Sequence, residues 1–386
     1  MENNREEFEI MKILYTASVL SHICQFHLPV MEMLQKEGHE IHVAAKNNLA
    51  EKNGLQLEFT DRYIEIPIQR SPKDRRNIEA YKKLKKLFQE EYYDVVICNT
   101  PVAGVLTRMA AKETRKRGTT VIYMAHGFHF YKGAPKKYWL IYPIERYFAN
   151  RRTDILITIN KEDFQRAKKD FCCTVKHIYG VGVRIDRYHP AEFEQQMQMR
   201  RNEGVEENDF VIICSKELMF DNNQKTLFRA VALIKNKVPN MKVLIAGNGP
   251  DEEMLRKLAV ELKIDDIVRF LGYRTDLEKV VPMANLVVSC SYREGMPLNI
   301  IEAMLCARPI IASHNRGHNE LIEEGKTGYL YDMLDEKMLA DYIMKIVQNP
   351  KKAIEFGERA YEKVQNYTSD EVVKQMKKII DDLGGK

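Results

Sequence analysis

The residues best placed to do chemistry stand in the stretch 285–311, NLVVSCSYREGMPLNIIEAMLCARPII. Two carboxylates, Glu294 and Glu302, bracket a segment that begins Gly295, Met296, Pro297, Leu298, Asn299. The apolar run Leu286–Cys290 predicts a strand, Ser291–Pro297 a turn, and 298–307 a short helix. Pro297 is expected as the first helical residue, where a missing N–H costs nothing. A helix start after a strand and a tight turn offers outward-pointing amides and a dipole end that favours an anion. Carboxylates beside such a cradle can accept hydrogen bonds from hydroxyls. The combination predicts a ligand with both phosphate and hydroxyl groups, as a nucleotide sugar has. Strand–turn–helix units also occur with no ligand, so the rest of the chain must carry part of the argument.

The first half holds a second set. Ser18 stands near the end of the first apolar run, MKILYTASVL, and His22 just after it. Asn99 ends DVVICN, and His126 stands where VIYMA runs into a glycine. Each falls at the carboxyl end of a predicted parallel strand, where a doubly wound fold binds its ligands.

Those positions presuppose alternating strands and helices, and the sequence supplies them. In the first half, apolar runs at 11–20, 40–46, 63–68, 94–99, 119–125 and 154–160 alternate with helical segments. The segment His22–Gly38 predicts one helix with a glycine stop. Residues 70–90 predict a basic amphipathic helix with Ile78, Tyr81, Leu84, Leu87 and Phe88 on its apolar face. The glycines of YGVGVRIDRYHP (179–190) mark a linker. The alternation then repeats through DFVIICS, MKVLIAGNGP and DIVRFLGYR. Two α/β domains with doubly wound, Rossmann-like parallel sheets, facing across a cleft, are predicted over 11–183 and 190–365. Residues 366–386 are expected to form a closing helix that crosses back to the first domain.

Composition bounds the reading. The chain has 386 residues, 45% hydrophobic and 30% charged, which suits two full cores in a globular protein. A net charge of +5 gives no argument for nucleic acid. No apolar run reaches the ~20 residues of a membrane span. The acidic start MENNREEFEI is unlike a signal peptide and is expected as an extension before the first strand. Seven scattered cysteines suit buried thiols in a reducing cytoplasm better than disulfides. Neither half carries a G-x-G-x-x-G fingerprint with its acidic partner, which argues against a NAD-dependent oxidoreductase. No D-x-D pair or ligand cluster appears, so neither metal nor other cofactor is expected. The basic segments 70–90 and 136–152, the latter with the only tryptophan, could meet an anionic membrane surface.

Taken together, EGMPLNIIE, AGNGPDEEMLRKLA, VRFLGYR, PIIASHNRGHNELI and GKTGYLY resemble the donor half of family 4 retaining glycosyltransferases of GT-B fold. YTASVLSHICQFHLPVM, CNTPVAGVLTR and YMAHGFHFYKG resemble the branch that builds capsular and exopolysaccharide. The resemblance covers nearly the whole chain from Met11. It implies retaining transfer from a UDP-sugar to a lipid-linked saccharide, by a cytoplasmic enzyme working peripherally at the inner membrane face. It gives Glu302 the ribose hydroxyls and Glu294 the donor sugar or its phosphate. Gly295, Met296, Leu298 and Asn299 would present amides to sugar and phosphate, Gly272 and Tyr273 would meet the base, and Gly247 and Gly249 would admit the nucleotide. His126 would contact the donor sugar near the scissile bond, with Ser18, His22 and Asn99 on the acceptor side.

One loop departs from the family pattern. SKELMFDNNQK puts Lys216 where a glycine is common, Glu217 at an often basic place and Asn222 where a lysine is expected. Lys216 or Lys225 could grip the diphosphate by another route. A charge-assisted phosphate contact contributes roughly 1.5–3 kcal/mol. Two alternatives therefore stand beside the enzyme: an impaired nucleotide-sugar binder serving as an assembly subunit, and a UDP-sugar epimerase of similar architecture.

Overall fold

Segments such as Val95–Asn99 are buried at every position rather than at alternate ones. That is what a parallel strand covered by helices on both faces requires. The computed structural model describes residues 10–52 and 54–384. The acidic start of the chain, apart from Ile10, lies outside the described residues.

The chain forms two units. The first runs to Gly182 and resumes at Ser369; the second is Val183–Thr368. In the first, strands β1 (Lys12–Val19), β2 (Glu40–Lys46), β3 (Arg62–Glu65), β4 (Val95–Asn99), β5 (Thr120–Ala125), β6 (Ile155–Thr158) and β7 (Thr174–His177) make one sheet. Its order is β3-β2-β1-β4-β5-β6-β7, and every pairing is parallel. In the second, β8 (Phe210–Ser215), β9 (Met241–Ala246), β10 (Val268–Gly272), β11 (Leu286–Ser289), β12 (Ile310–Ser313) and β13 (Tyr329–Tyr331) run in the order β10-β9-β8-β11-β12-β13, again all parallel. Each sheet is a doubly wound, Rossmann-like α/β layer. Its strand order reverses between β1 and β4, and between β8 and β11. At such a point the flanking crossovers go to opposite sides and leave a crevice at the strands' carboxyl ends.

The closing helix Ser369–Gly384 belongs to the first unit. Gln375 accepts a hydrogen bond from the Tyr179 amide at 3.1 Å, and Lys377 pairs with Glu37.

Three local expectations are corrected. The predicted helix His22–Gly38 is two helices, Leu20–Phe26 and Leu28–Lys36, broken at His27. Pro29 has no N–H to give the carbonyl four residues back, so a continuous helix would lose a bond and meet a clash there. Ile78 is exposed, and Asn77 takes the inward place, accepting from the Gln69 amide at 2.9 Å and donating to the Ser71 carbonyl at 2.9 Å. Pro297 caps the helix Leu298–Leu305 from an extended conformation and is not its first residue. Five of the seven cysteines are buried, and all are free thiols.

Candidate functional site

In the second unit the carboxyl ends of β8 and β11 carry the charged pair of the site. Lys216 follows β8 directly, and its Nζ lies 2.6 Å from Glu294 Oε1. Both side chains are mostly covered, 21% and 13% exposed. Burial works to raise the Glu294 pKa, but the Lys216 ammonium more than offsets it and holds the carboxyl below its usual range. Lys216 is thus engaged with the acid the sequence singled out.

Gly247 and Gly249 explain how the 216–218 loop reaches that place. A Cβ on Gly247, whose φ is +149°, would stand 2.0 Å from the Lys216 carbonyl oxygen; one on Gly249 would stand 2.2 Å from that of Leu218. These glycines therefore admit the chain's own loop. The Gly247 amide also donates to the Gly272 carbonyl at 2.7 Å. Gly272 turns the chain at φ +67° with open space around its α-carbon, and Tyr273 beyond it is exposed.

Glu302 lies in the second turn of the helix Leu298–Leu305. Burial pushes its carboxyl up to about 7, against the opposing hydrogen bond from Tyr188 and the charges of Lys216 and Arg187. At the start of the same helix Met296 and Asn299 are buried, and neither side-chain amide atom of Asn299 has a hydrogen-bond partner. Gly295 and Leu298 are partly exposed beside them. Buried polar atoms are nearly always paired, so Asn299 marks the helix start as a place for a polar ligand. The leading amides of any α-helix have no partner within it, and here they share that place.

Residues that sequence reasoning did not single out hold this turn from behind. The Arg316 guanidinium donates to the Glu294 carbonyl at 3.2 Å. Gly317 packs so closely that a Cβ would meet Glu294 Cβ at 2.8 Å and Pro297 Cδ at 2.9 Å. His318 is fully buried, its Nε2 3.0 Å from Ser289 Oγ and its Nδ1 2.7 Å from the Ser313 carbonyl oxygen. Burial pushes its pKa down to about 4, so it is neutral near pH 7. The run Asn315–His318 was visible as part of a motif. Its role as a backing layer depends on three-dimensional neighbours. Tyr188 hides better still, inside a glycine-rich linker whose local pattern says only "turn".

Lys225 is not brought to this pair. Its ammonium lies over the Phe220 ring, 5.2 Å from the centroid. Asn222 accepts from Ser291 Oγ at 3.2 Å, and Asp221 pairs with Arg293 at 3.1 Å. The loop is fastened to the segment after β11 by its own polar side chains.

The first unit gathers the other set at its own strand-order reversal. Ser18 belongs to β1 and not to the loop, and its buried hydroxyl lies 2.8 Å from Thr100 Oγ1. That bond ties the carboxyl end of β1 to the residue after β4. Asn99 is buried, donates to the Thr16 carbonyl at 3.3 Å, and places Oδ1 3.2 Å from His126 Nε2. His126 Nε2 also lies 3.2 Å from His22 Nε2. His27, which the sequence did not suggest, completes a group of three imidazoles whose nitrogens lie within 4.8 Å of one another. The sequence reading, which expected no metal or cofactor, did not anticipate this group. It could not be read from spacing, because His126 lies 104 residues from His22.

Comparison with known proteins gives these sites a family. Residues 195–363 match the family model described as glycosyl transferases group 1, and residues 12–160 the one described as glycosyl transferase 4-like. A putative glycosyltransferase, EpsD, of Bacillus subtilis is 38% identical over 95% of each chain. An Escherichia coli galactosyltransferase, described as using UDP-Gal and α-D-GlcNAc-diphosphoundecaprenol, is 26% identical over 86% of each. The Anabaena protein HepE, solved in complex with UDP, superposes with a TM-score of 0.80 at 20% identity, over 96% of this chain and 100% of that one. The two sheets are thus the two domains of a GT-B fold, and the chain belongs to the group 1, family 4-like glycosyltransferases.

Proposed function

We propose that this chain moves a hexosyl group from a UDP-sugar to a lipid-linked or saccharide acceptor, with retention at the anomeric carbon, in extracellular or capsular polysaccharide synthesis. The observation that carries this is the unpartnered, buried Asn299 amide at a helix start, flanked by the Glu294–Lys216 pair and by Glu302. The helix start suits a diphosphate and the carboxylates suit hydroxyls. The relatives add support: HepE is solved with UDP-glucose, and the E. coli enzyme is described with a UDP-sugar and a lipid-linked acceptor.

In this reading the bond from the anomeric carbon to the diphosphate breaks while the acceptor oxygen bonds to the same face. The acceptor proton passes to the departing phosphate oxygen. Fixed amides and the helix dipole stabilise the charge that grows on the diphosphate, with no metal required. UDP release from a panel of UDP-sugars, with and without a polyprenyl-diphosphate saccharide, tests the proposal. Turnover in the wild type and loss in Glu302→Ala support it. Silence over the whole panel with intact UDP binding favours the impaired subunit instead, a reading motivated by Lys225 standing over Phe220 rather than at the charged pair. Conversion of the donor without acceptor favours the epimerase.

Membrane association belongs to the same proposal, at the cytoplasmic face. No described helix is long and apolar enough to cross a membrane. Residues 136–152 turn Leu140, Ile144 and Tyr147 outward, 75%, 50% and 53% exposed, among Lys136, Lys137, Arg146 and Arg151. The helix Arg76–Glu90 turns only Ile78 outward among its large apolar side chains, so 136–152 is the better membrane-facing segment.

A further inference from the structure

We propose that His22, His27 and His126 form a binding site for a single divalent transition-metal ion such as Zn²⁺, with Asn99 Oδ1 as a fourth donor. The site lies wholly in the first unit and makes no assumption about the donor chemistry of the second.

The break at His27 creates it. In an unbroken helix, residues five apart point about 140° away from each other, so His22 and His27 could not share a ligand. The change of direction at His27 brings their ring centroids to 5.5 Å and sets both near His126, at 4.4 and 5.4 Å. Two of the ligand pairs already have the spacing of tetrahedral coordination, and the His27 nitrogen, within 4.8 Å of the other two, would close on the ion. Two ligands each 2.0–2.1 Å from zinc stand about 3.3–3.4 Å apart in a tetrahedron. His22 Nε2 and His126 Nε2 are 3.2 Å apart, and Asn99 Oδ1 is 3.2 Å from the latter.

An independent observation points to a ligand. His27 is buried, and its Nε2 has no hydrogen-bond partner. Burying an imidazole nitrogen unpaired is costly, and a metal ion would satisfy it. The electrostatics agree. Burial, and for His22 and His27 the neighbouring histidines, hold all three pKa values below the ordinary histidine range, His126 at about 4. Near pH 7 the rings are therefore neutral, the form a metal requires. His22 and His126 are only partly buried, which leaves a way in. Imidazole with an amide oxygen suits Zn²⁺, Co²⁺, Ni²⁺ or Cu²⁺ rather than Mg²⁺ or Ca²⁺.

The test uses the untagged, chelator-stripped full chain titrated with Co²⁺. Visible d–d absorption saturating at one equivalent, and displaced by Zn²⁺, is the expected result. His22→Gln and His27→Phe, each checked for its fold by circular dichroism, should weaken binding at least about tenfold, the lower end of what losing even an outer-shell partner costs. X-ray absorption of the zinc-loaded wild type should show nitrogen and oxygen neighbours with imidazole scattering. Failure to saturate near one equivalent overturns the proposal. So does equal binding in both folded variants, or a sulfur-dominated spectrum.

Discussion

Lys216 Nζ and Glu294 Oε1 meet at 2.6 Å across the carboxyl ends of β8 and β11, the strands between which the second sheet reverses its order. Lys216, directly after the strand, is fastened to the loop acid. Lys216→Met should leave that acid covered and uncompensated, at a cost of about 1–3 kcal/mol. In a double-mutant cycle with Glu294→Gln, urea denaturation should show coupling of at least about 0.5 kcal/mol. Simple additivity of the two substitutions would mean the pair contributes nothing as a pair.

The acid on the helix behaves differently. Glu302 titrates at about 7 in the folded chain against 4.5 for the free side chain. A raised carboxyl binds its proton more tightly in the folded state, so its contribution to stability is full below about 4.5 and is lost as pH rises through 7. Glu302→Gln should remove that part of the pH dependence, at most about 3 kcal/mol between pH 4 and pH 8. If the ionised carboxyl holds the ribose hydroxyls, UDP affinity in the wild type rises over the same interval and is flat in the variant. Chemical denaturation and calorimetry at a series of pH values read both effects.

Apolar runs such as DVVICN and DILITIN were legible as strands because burial on both faces leaves no polar alternation to confuse them. The edge strand Thr174–His177 is polar and short, and becomes a strand only because β6 offers it an open edge. The helix Pro350–Val364 carries Gly357, a weak helix former whose reason lies elsewhere: a Cβ there would stand 2.1 Å from the Ala307 carbonyl oxygen. The site divides the same way. Glu294 and Glu302 share one short segment, so their spacing showed in the sequence. Tyr188, Gly317 and His27 gain their places from contacts between distant segments, which no local pattern records.

Two glycines of the second unit should respond unequally to the same substitution. At Gly247 an alanine meets both a strained φ and the Lys216 carbonyl, so the 216–218 loop must move and take Lys216 with it. At Gly272 only the φ of +67° opposes the change. Gly272→Ala should cost about 1 kcal/mol, as a left-handed position does without a clash. Gly247→Ala should cost clearly more and disturb the Lys216–Glu294 pair, seen as loss of the coupling measured above. Equal losses at the two sites would show that the close approach at Gly247 relaxes freely.

The outward apolar residues of 136–152 make a quantitative claim about membranes because their platform is rigid. Glu145, Phe148 and Ala149 of the helix Tyr142–Arg152 are buried, and Arg108 holds the Glu145 carboxylate at 2.7 Å while stacking 4.0 Å from the Tyr123 ring centroid. Leu140, Ile144 and Tyr147 are thus presented on a fixed base, with cations beside them. Inserting one such side chain is worth about 1.5–3 kcal/mol, so Leu140→Ser or Ile144→Ser should each lower partitioning onto anionic vesicles by about tenfold or more. Salt should weaken binding of the wild type, since cations contribute about 1 kcal/mol each near an anionic surface. Ile78→Ser, on the other basic helix, should change nothing in the same cosedimentation assay. Equal losses from Ile78→Ser and Leu140→Ser would move the contact surface to both segments, and no loss from either would remove the membrane from the function proposed here.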